Sequence, residues 1–277
     1  MKKIISFLLM VMMALSLCSC GLLGGEIKEL SLKEEGKRIR DYEDALEWSA
    51  DLTQDYENWL EEGEVRKGQW YSISGQEHYE YSDEDGSGEY TATISGKYFY
   101  SPYAFEQKLS LKVTQTGEYY EDGESYEYKN TAKIIYVEGA WYVKTEYSVT
   151  SDEGKSSHTE YDNSPAGEDY TELLSVISNP TAIIGLVGSV DVEEGRLFVS
   201  EEAVEWTESE SFDGNSYTHQ GIIEFEKESI FVKSIQTYNQ SRYYTDLGYR
   251  HESTSKITVK KTLTGSVKRP NDYYKYE

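Results

Sequence analysis

The sequence predicts a mainly β fold of the α+β class: an antiparallel sheet, one N-terminal amphipathic helix and a mid-chain apolar helical segment. Three observations predict it. From Trp70 onward, apolar residues alternate with polar ones at period two; turn dipeptides of the Asp-Gly kind separate these runs; and a three- to four-residue period marks the stretch before them. Strands joined by such short loops are antiparallel neighbours, because a parallel pair needs a long crossover.

The chain begins with Lys2 and Lys3, followed by a nearly unbroken apolar run from Ile4 to Leu17. Such a run suits a signal-peptide core and is too short to cross roughly 30 Å of hydrocarbon. Leu17-Cys18-Ser19-Cys20-Gly21 then resembles the lipobox of bacterial lipoproteins, with Cys18 in one of the small positions. Cleavage before Cys20 leaves Ser19 at the cut, whereas cleavage before Cys18 leaves bulky Leu17 there. Residues 1–19 are therefore read as a lipoprotein signal peptide and Cys20 as the lipid attachment site. The bland alternative is an ordinary signal peptide with two incidental cysteines. A diacylglyceryl anchor adds about 0.8 kcal/mol per buried CH₂ and places the protein on the outer side of a cell membrane, a palmitate-type lipid anchor being its only attachment.

Residues 20–40 read as a lipidated tether, with Gly24-Gly25, mixed charges and no clear period. Tyr42, Ala45, Leu46, Leu52, Tyr56, Trp59 and Leu60 then recur at helical spacing, with Asp41 and Asp44 as a capping pair and Gly63 as the stop. Glu57, Glu61 and Glu62 sit at the unfavourable end of the helix dipole. The helix must owe its stability to docking its apolar stripe on the sheet.

Tyr90, Ala92 and Ile94 alternate with polar residues, as do Leu109, Leu111 and Val113, and Ile134 with Tyr136. Trp141 to Val149 continue the pattern after Gly139. Asp85-Gly86, Asp122-Gly123, Glu138-Gly139, Glu153-Gly154 and Asp213-Gly214 mark hairpins. Residues Tyr170 to Val190 break the pattern and are the most apolar part of the mature chain. Leu173, Leu174 and Ile177 fit one helical face; Asn179-Pro180 interrupts it; Ile183, Ile184, Leu186 and Val187 begin a second helix or an apolar loop. Such a run must pack on the sheet, either as a mobile lid over a cavity or as permanent core. Period two returns at Ile223, Ile230 and Ile257, and the tail from Lys268 reads as frayed. Residues 41–277 form a single β-rich domain; a split near Tyr161–Glu168 is the alternative.

Loss of the leader leaves 258 of 277 residues and takes the basic count from 27 to 25 against 51 acids, a formal charge of −26. That balance argues against nucleic acid and against an electrostatic grip on anionic lipid heads. Both cysteines lie at the signal junction, so the domain has neither disulfide nor thiol nucleophile. His78, His158, His219 and His251 are scattered, and no zinc, phosphate-loop, dinucleotide or serine-elbow motif occurs. The expectation is therefore a non-enzymatic protein with no cofactor and no metal. Asp83 to Glu89 could array oxygens for calcium, but it lacks the required order and reads better as a solvated turn. The 26 tyrosines suit half-exposed strands or a sugar-stacking surface.

Tyr42–Leu60, the strand start Gly139-Ala140-Trp141-Tyr142-Val143, and Leu173-Leu174-Ser175-Val176-Ile177-Ser178-Asn179-Pro180 give an element order that resembles the LolA-like carriers and related lipid-binding lipoproteins. The Gly-x-Trp-Tyr start also occurs in nuclear-transport-factor-like cone folds. The resemblance implies a curved sheet or half-barrel wrapped round a helix-covered apolar cavity. It implies an amphiphilic or apolar ligand such as a lipid, bound by Leu173, Leu174, Ile177, Ile183, Ile184, Leu186 and Val187. The abundance of Tyr and acid on the strands departs from a lipid cavity. The alternative is a Tyr-rich surface module for glycan or a partner protein of the cell envelope; a carboxylate-based hydrolase is third.

Overall fold

The computed structural model of the chain describes residues 26–62, 68–84, 86–101, 106–121, 123–164, 177, 182–183, 195–226, 231–245 and 248–276. Its elements run β1 (Lys37–Ile39), α1 (Tyr42–Glu62), β2 (Gln69–Ser82), β3 (Gly86–Ser101), β4 (Glu106–Glu121), β5 (Glu124–Val137), β6 (Ala140–Ser151), β7 (Gly154–Asp162), β8 (Arg196–Val199), β9 (Ala203–Phe212), β10 (Asn215–Phe225), β11 (Val232–Tyr244) and β12 (Arg250–Thr262). A short 3₁₀ turn at Tyr273–Lys275 follows. The twelve strands form one open antiparallel sheet in the order β1-β8-β9-β10-β11-β12-β2-β3-β4-β5-β6-β7. Two meanders are thus laid side by side, β2–β7 and β8–β12, and the last strand closes against the first long one. Thirteen register pairs join β12 to β2, from Arg250–Ser82 to Thr262–Trp70.

The turns follow their sequences. Glu138-Gly139 and Asp213-Gly214 all have positive φ (56° and 77°, 47° and 82°). That is the two-residue turn whose twist matches its strands. At the β6–β7 hairpin the turn sits one residue earlier than expected: Ser151 pairs with Gly154, so Asp152-Glu153 is the loop. At the β2–β3 turn the Asp83 carboxylate accepts the Gly86 N–H at 2.9 Å. Asp85 lies outside the described residues.

Helix α1 covers the predicted span, with Asp41 Oδ1 accepting the Asp44 N–H at 2.9 Å. The Asp44 carboxylate does not complete the pair; it meets Lys37 Nζ at 2.8 Å. The docked face also differs from the expected stripe. Ala45, Trp48 and Leu52 pack on the core, while Tyr42 and Leu46 are 73% and 51% exposed. Trp48 lies three residues after Ala45 and four before Leu52, so a large ring fixes the helix's rotation and turns Tyr42 and Leu46 outward. The side chains of Tyr56, Trp59 and Leu60 lie outside the described residues.

Both ends of the described chain are tied down further than the sequence suggested. Within the stretch read as tether, Leu30 N–H donates to Gln220 Oε1 at 2.9 Å, and Lys33 and Glu34 N–H both donate to Glu205 Oε2, at 2.7 and 2.9 Å. Glu205 is buried, and these backbone bonds are what satisfy its carboxylate. At the other end Tyr276 is not frayed. It is buried, with its ring edge-on to Tyr142 and Tyr161 at 5.5 and 5.0 Å.

One face of the sheet carries the core. Val259, Ile73, Leu111, Ile134 and Val143 lie in register across β12–β6, and Ile235, Ile223, Val204 and Val199 extend the row through β11–β8. The next inner-face row holds Ile257, Ile94, Val113 and Ala132, with Trp206, Leu197 and Ile39 beyond. Trp206 fits because its ring lies over Gly221, where a Cβ would come within 1.9 Å of it. Leu52 of α1 and two buried mid-chain residues, Ile177 and Ile183, close this cluster.

Candidate functional site

The inner face changes character two residues further along the same strands. Glu77 of β2 follows Ile73 and Gly75 at period two and pairs with Ser255 of β12 and Ala92 of β3. Ala92 pairs with Gln115 of β4, and Gln115 with Asn130 of β5. Gln115, Asn130 and Ser255 each lie two residues along the strand from a core residue, Val113, Ala132 and Ile257. All four, Glu77, Gln115, Asn130 and Ser255, are at most 5% exposed. Burial of polar groups at this density requires partners, and two oxygens have none: Glu77 Oε2 and Asn130 Oδ1.

Beyond that row lie two rows of tyrosine. Tyr79, Tyr90 and Tyr128 occupy β2, β3 and β5, with Gly117 between the last two; Tyr81, Tyr119 and Tyr126 follow, with Gly88 between the first two. The glycines make room for the rings. A Cβ on Gly117 would lie 2.7 Å from Tyr90 Cβ, and one on Gly88 would lie 2.7 Å from the Tyr81 ring. The rings stack as neighbours, Tyr79 on Tyr90 at 5.0 Å and Tyr119 on Tyr126 at 4.7 Å. Their hydroxyls reach down to the polar row: Tyr90 donates to Glu77 Oε1 at 3.3 Å, and Gln115 Nε2 donates to the Tyr128 hydroxyl at 3.2 Å.

Electrostatics follow from this packing. Burial pushes the Glu77 carboxyl up to about 7, with the Tyr90 hydroxyl pulling weakly the other way. Burial, and then the nearby Glu77, holds the Tyr90 hydroxyl far above the ordinary phenol range. Near neutral pH this end of the sheet therefore offers a carboxyl on the verge of ionising, a free amide oxygen and a wall of half-buried rings. Farther along the same row His219 is held below its ordinary value by burial, and its Nε2 accepts the Trp206 indole N–H at 3.2 Å.

On the opposite face, His78, Glu80 and Glu89 bring one ligand atom each within 4.8 Å of one another. That donor set is already engaged: Glu80 Oε1 meets His78 Nε2 at 3.0 Å, and its other oxygen meets Arg250 at 3.5 Å. These are the residues that would hold a metal, and among the described residues nothing buried and unpartnered points at them.

No family model and no curated protein matches this chain. Among solved structures it is similar to the translocator domain of the autotransporter NalP from Neisseria meningitidis, at 9% identity over 78% of this chain and 96% of that one, with a TM-score of 0.32. It is also similar to a DUF1329 family protein from Desulfovibrio piger, at 10% identity over 80% and 96%, with a TM-score of 0.17. Both scores are too low to carry a fold assignment.

Of the residues expected to bind ligand, Ile177 and Ile183 are 5% and 0% exposed and belong to the core beside Leu52. Leu173, Leu174, Ile184, Leu186 and Val187 lie outside the described residues, as does Cys20. The mid-chain helix is likewise outside them. The residues that sequence reasoning passed over are Glu77, Gln115 and Asn130. Their signal was a polar residue at the apolar phase of three strands, each within two positions of Gly75, Val113 or Ala132.

Proposed function

We propose that the protein is a lipid-anchored, extracytoplasmic binding module whose tyrosine-lined inner face takes a polyhydroxylated ligand such as an envelope glycan. The observation that carries this reading is the pair of unpartnered buried acceptors, Glu77 Oε2 and Asn130 Oδ1, beneath the tyrosine rings. A sugar supplies hydroxyl donors for such acceptors and flat C–H faces for the rings. The rest of the inner face favours this over a carrier with an open apolar cavity. Among the described residues its apolar half is filled by the protein's own side chains, including Ile177 and Ile183.

Retention of the mature chain by a panel of cell-envelope polysaccharides in affinity electrophoresis is the test. Tyr81→Ala with Tyr119→Ala should weaken retention by about tenfold or more, taking as the scale the about 1–3 kcal/mol that a planar base stacked on an aromatic ring contributes. A double variant that folds and is retained like the wild type would overturn the reading.

A second reading keeps the amphiphile. One observation favours it: along β2–β5 the inner face passes from Ile, Leu and Val to Glu, Asn and Tyr, a gradient that matches a tail and a head group. Co-purified lipid in native mass spectrometry would support it, and the contacts would then include Leu173, Leu174, Ile184, Leu186 and Val187. Both readings place the protein at the membrane through Cys20. Labelled fatty acid should enter the wild type and Cys18→Ala but not Cys20→Ala.

A further inference from the structure

The outer face of β2–β6 carries its charges in rows of one sign. Lys112 of β4 pairs directly with Lys133 of β5, and Lys133 with Lys144 of β6. Six residues along the same strands, Glu252, Glu80, Glu89, Glu118 and Glu127 lie in register across β12, β2, β3, β4 and β5. Between the rows lie three threonines and Lys129, Thr114 opposite Thr131 and Thr116 opposite Lys129, with Glu146 beside Thr131. Like charges directly opposite one another destabilise a strand pair, and exchanging one Lys with one Glu would have turned both repulsions into ion pairs.

Parts of these rows are neutralised within the chain. Arg250 and Arg242 reach Glu252 at 2.8 and 3.4 Å, and Glu146 holds Lys144 at 2.6 Å, its field extending to Lys133 and Lys112. Glu118, Glu127, Lys112 and Lys133 are exposed and make no hydrogen bond or ion pair with any described residue. The acidic end borders a shallow trough of about 560 Å³ between Glu89, Glu118, Glu127 and Lys129. Elsewhere the chain covers this face itself, with the strap at Leu30–Glu34 held by Gln220 and Glu205 and the tail at Tyr276. Over β4 and β5, by contrast, Lys112, Glu118, Glu127 and Lys133 stay exposed.

We propose that the open outer face of β4 and β5 is a docking surface for a second copy of this chain. The complementarity specifies the arrangement. A two-fold axis running across the strands along the threonine belt reverses strand direction while setting β4 on β4 and β5 on β5. Lys112 and Lys133 of each copy then face Glu118 and Glu127 of the other, the two rows being about 20 Å apart at about 3.3 Å per residue. The net charge of −26 opposes association at long range. At about 0.15 M salt that repulsion is screened beyond about 8 Å, while contact pairs are screened much less.

Sedimentation equilibrium of the chain from Gly21 onward, which holds every described element, tests this at about 0.15 M salt. The wild type should dimerise. Glu118→Lys with Glu127→Lys makes all four positions basic, Lys112→Glu with Lys133→Glu makes all four acidic, and each variant alone should lose dimerisation by about tenfold or more. Mixed in equal amounts, the two variants should form a heterodimer, and the variant carrying all four exchanges should dimerise like the wild type. All four positions are exposed, so circular dichroism should show every variant folded. A wild type that stays monomeric, half-exchanged variants that dimerise unaided, or a mixture that stays monomeric would each overturn the proposal.

Discussion

The inner face of β2–β5 is two surfaces on one set of strands. At one end Ile73, Leu111 and Ile134 sit in register at 1–6% exposure, each surrounded by residues of its own kind. At the other end Glu77, Gln115 and Asn130 are equally buried but lie under tyrosines, with two oxygens unpartnered. Strand geometry is the same in both halves, so the difference lies in the side chains alone. A fold in need of stability only would continue Val and Ile along the row, because burying an amide or a carboxyl without a partner costs about 1–3 kcal/mol. The apolar half holds the sheet together. The polar half weakens it, at the positions where the proposed ligand would supply the missing donors.

The largest expected effect separates the halves outright. Trp206→Ala should cost about 3–5 kcal/mol in urea unfolding, as a fully buried ring over a glycine. Tyr119→Ala, half-exposed, should cost about 1 kcal/mol, the worth of its stacking on Tyr126. Equal losses would erase the distinction.

The next effect depends on pH. Folding raises the Glu77 carboxyl to about 7. The stability it allows is therefore fully present below its unfolded value near 4.5 and is lost as pH rises towards 7, by roughly 3 kcal/mol in all. Glu77→Gln should flatten that slope in urea titrations at successive pH values; an unchanged slope would place the burial cost elsewhere. His219 acts in the opposite sense and by less. Its value is lowered by burial, so it contributes stability above its unfolded value near 6.5 that is lost as pH falls. Protonation there turns the acceptor for the Trp206 indole into a donor, costing about 1 kcal/mol. The indole N–H resonance of Trp206 should shift with that titration. Smallest of all is Asp41→Ala, which removes the α1 cap and should lower stability by about 1 kcal/mol without touching either half.

Much of this architecture is legible in the chain. Period two with dipeptides such as Glu138-Gly139 and Asp213-Gly214 announces an antiparallel meander, because those residues adopt the positive φ that a two-residue hairpin demands. Asp41 likewise marks the start of α1. The order of the sheet is not legible: pairing β12 with β2 depends on contacts nearly two hundred residues apart, which no local pattern encodes. The helix face was misread because Trp48 outweighs Tyr42 and Leu46 once a core exists to receive it. The strap and tail are not legible in the sequence because their anchors, Glu205 and the Tyr142–Tyr161 pair, act from strands far away along the chain. The candidate site was written in the strands as Glu77, Gln115 and Asn130 at apolar positions, but only register shows that the three lie in one row.

Asn130→Val tests the central contrast most directly, because it removes the unpartnered Oδ1 and leaves a side chain suited to a strand. If the polar row is kept for a ligand at the expense of the fold, the urea midpoint of the variant should equal or exceed that of the wild type, by up to about 2 kcal/mol in stability. A loss of about 2–5 kcal/mol, the range expected of a true core position such as Ile134→Ala, would contradict it and make Asn130 part of the structural core.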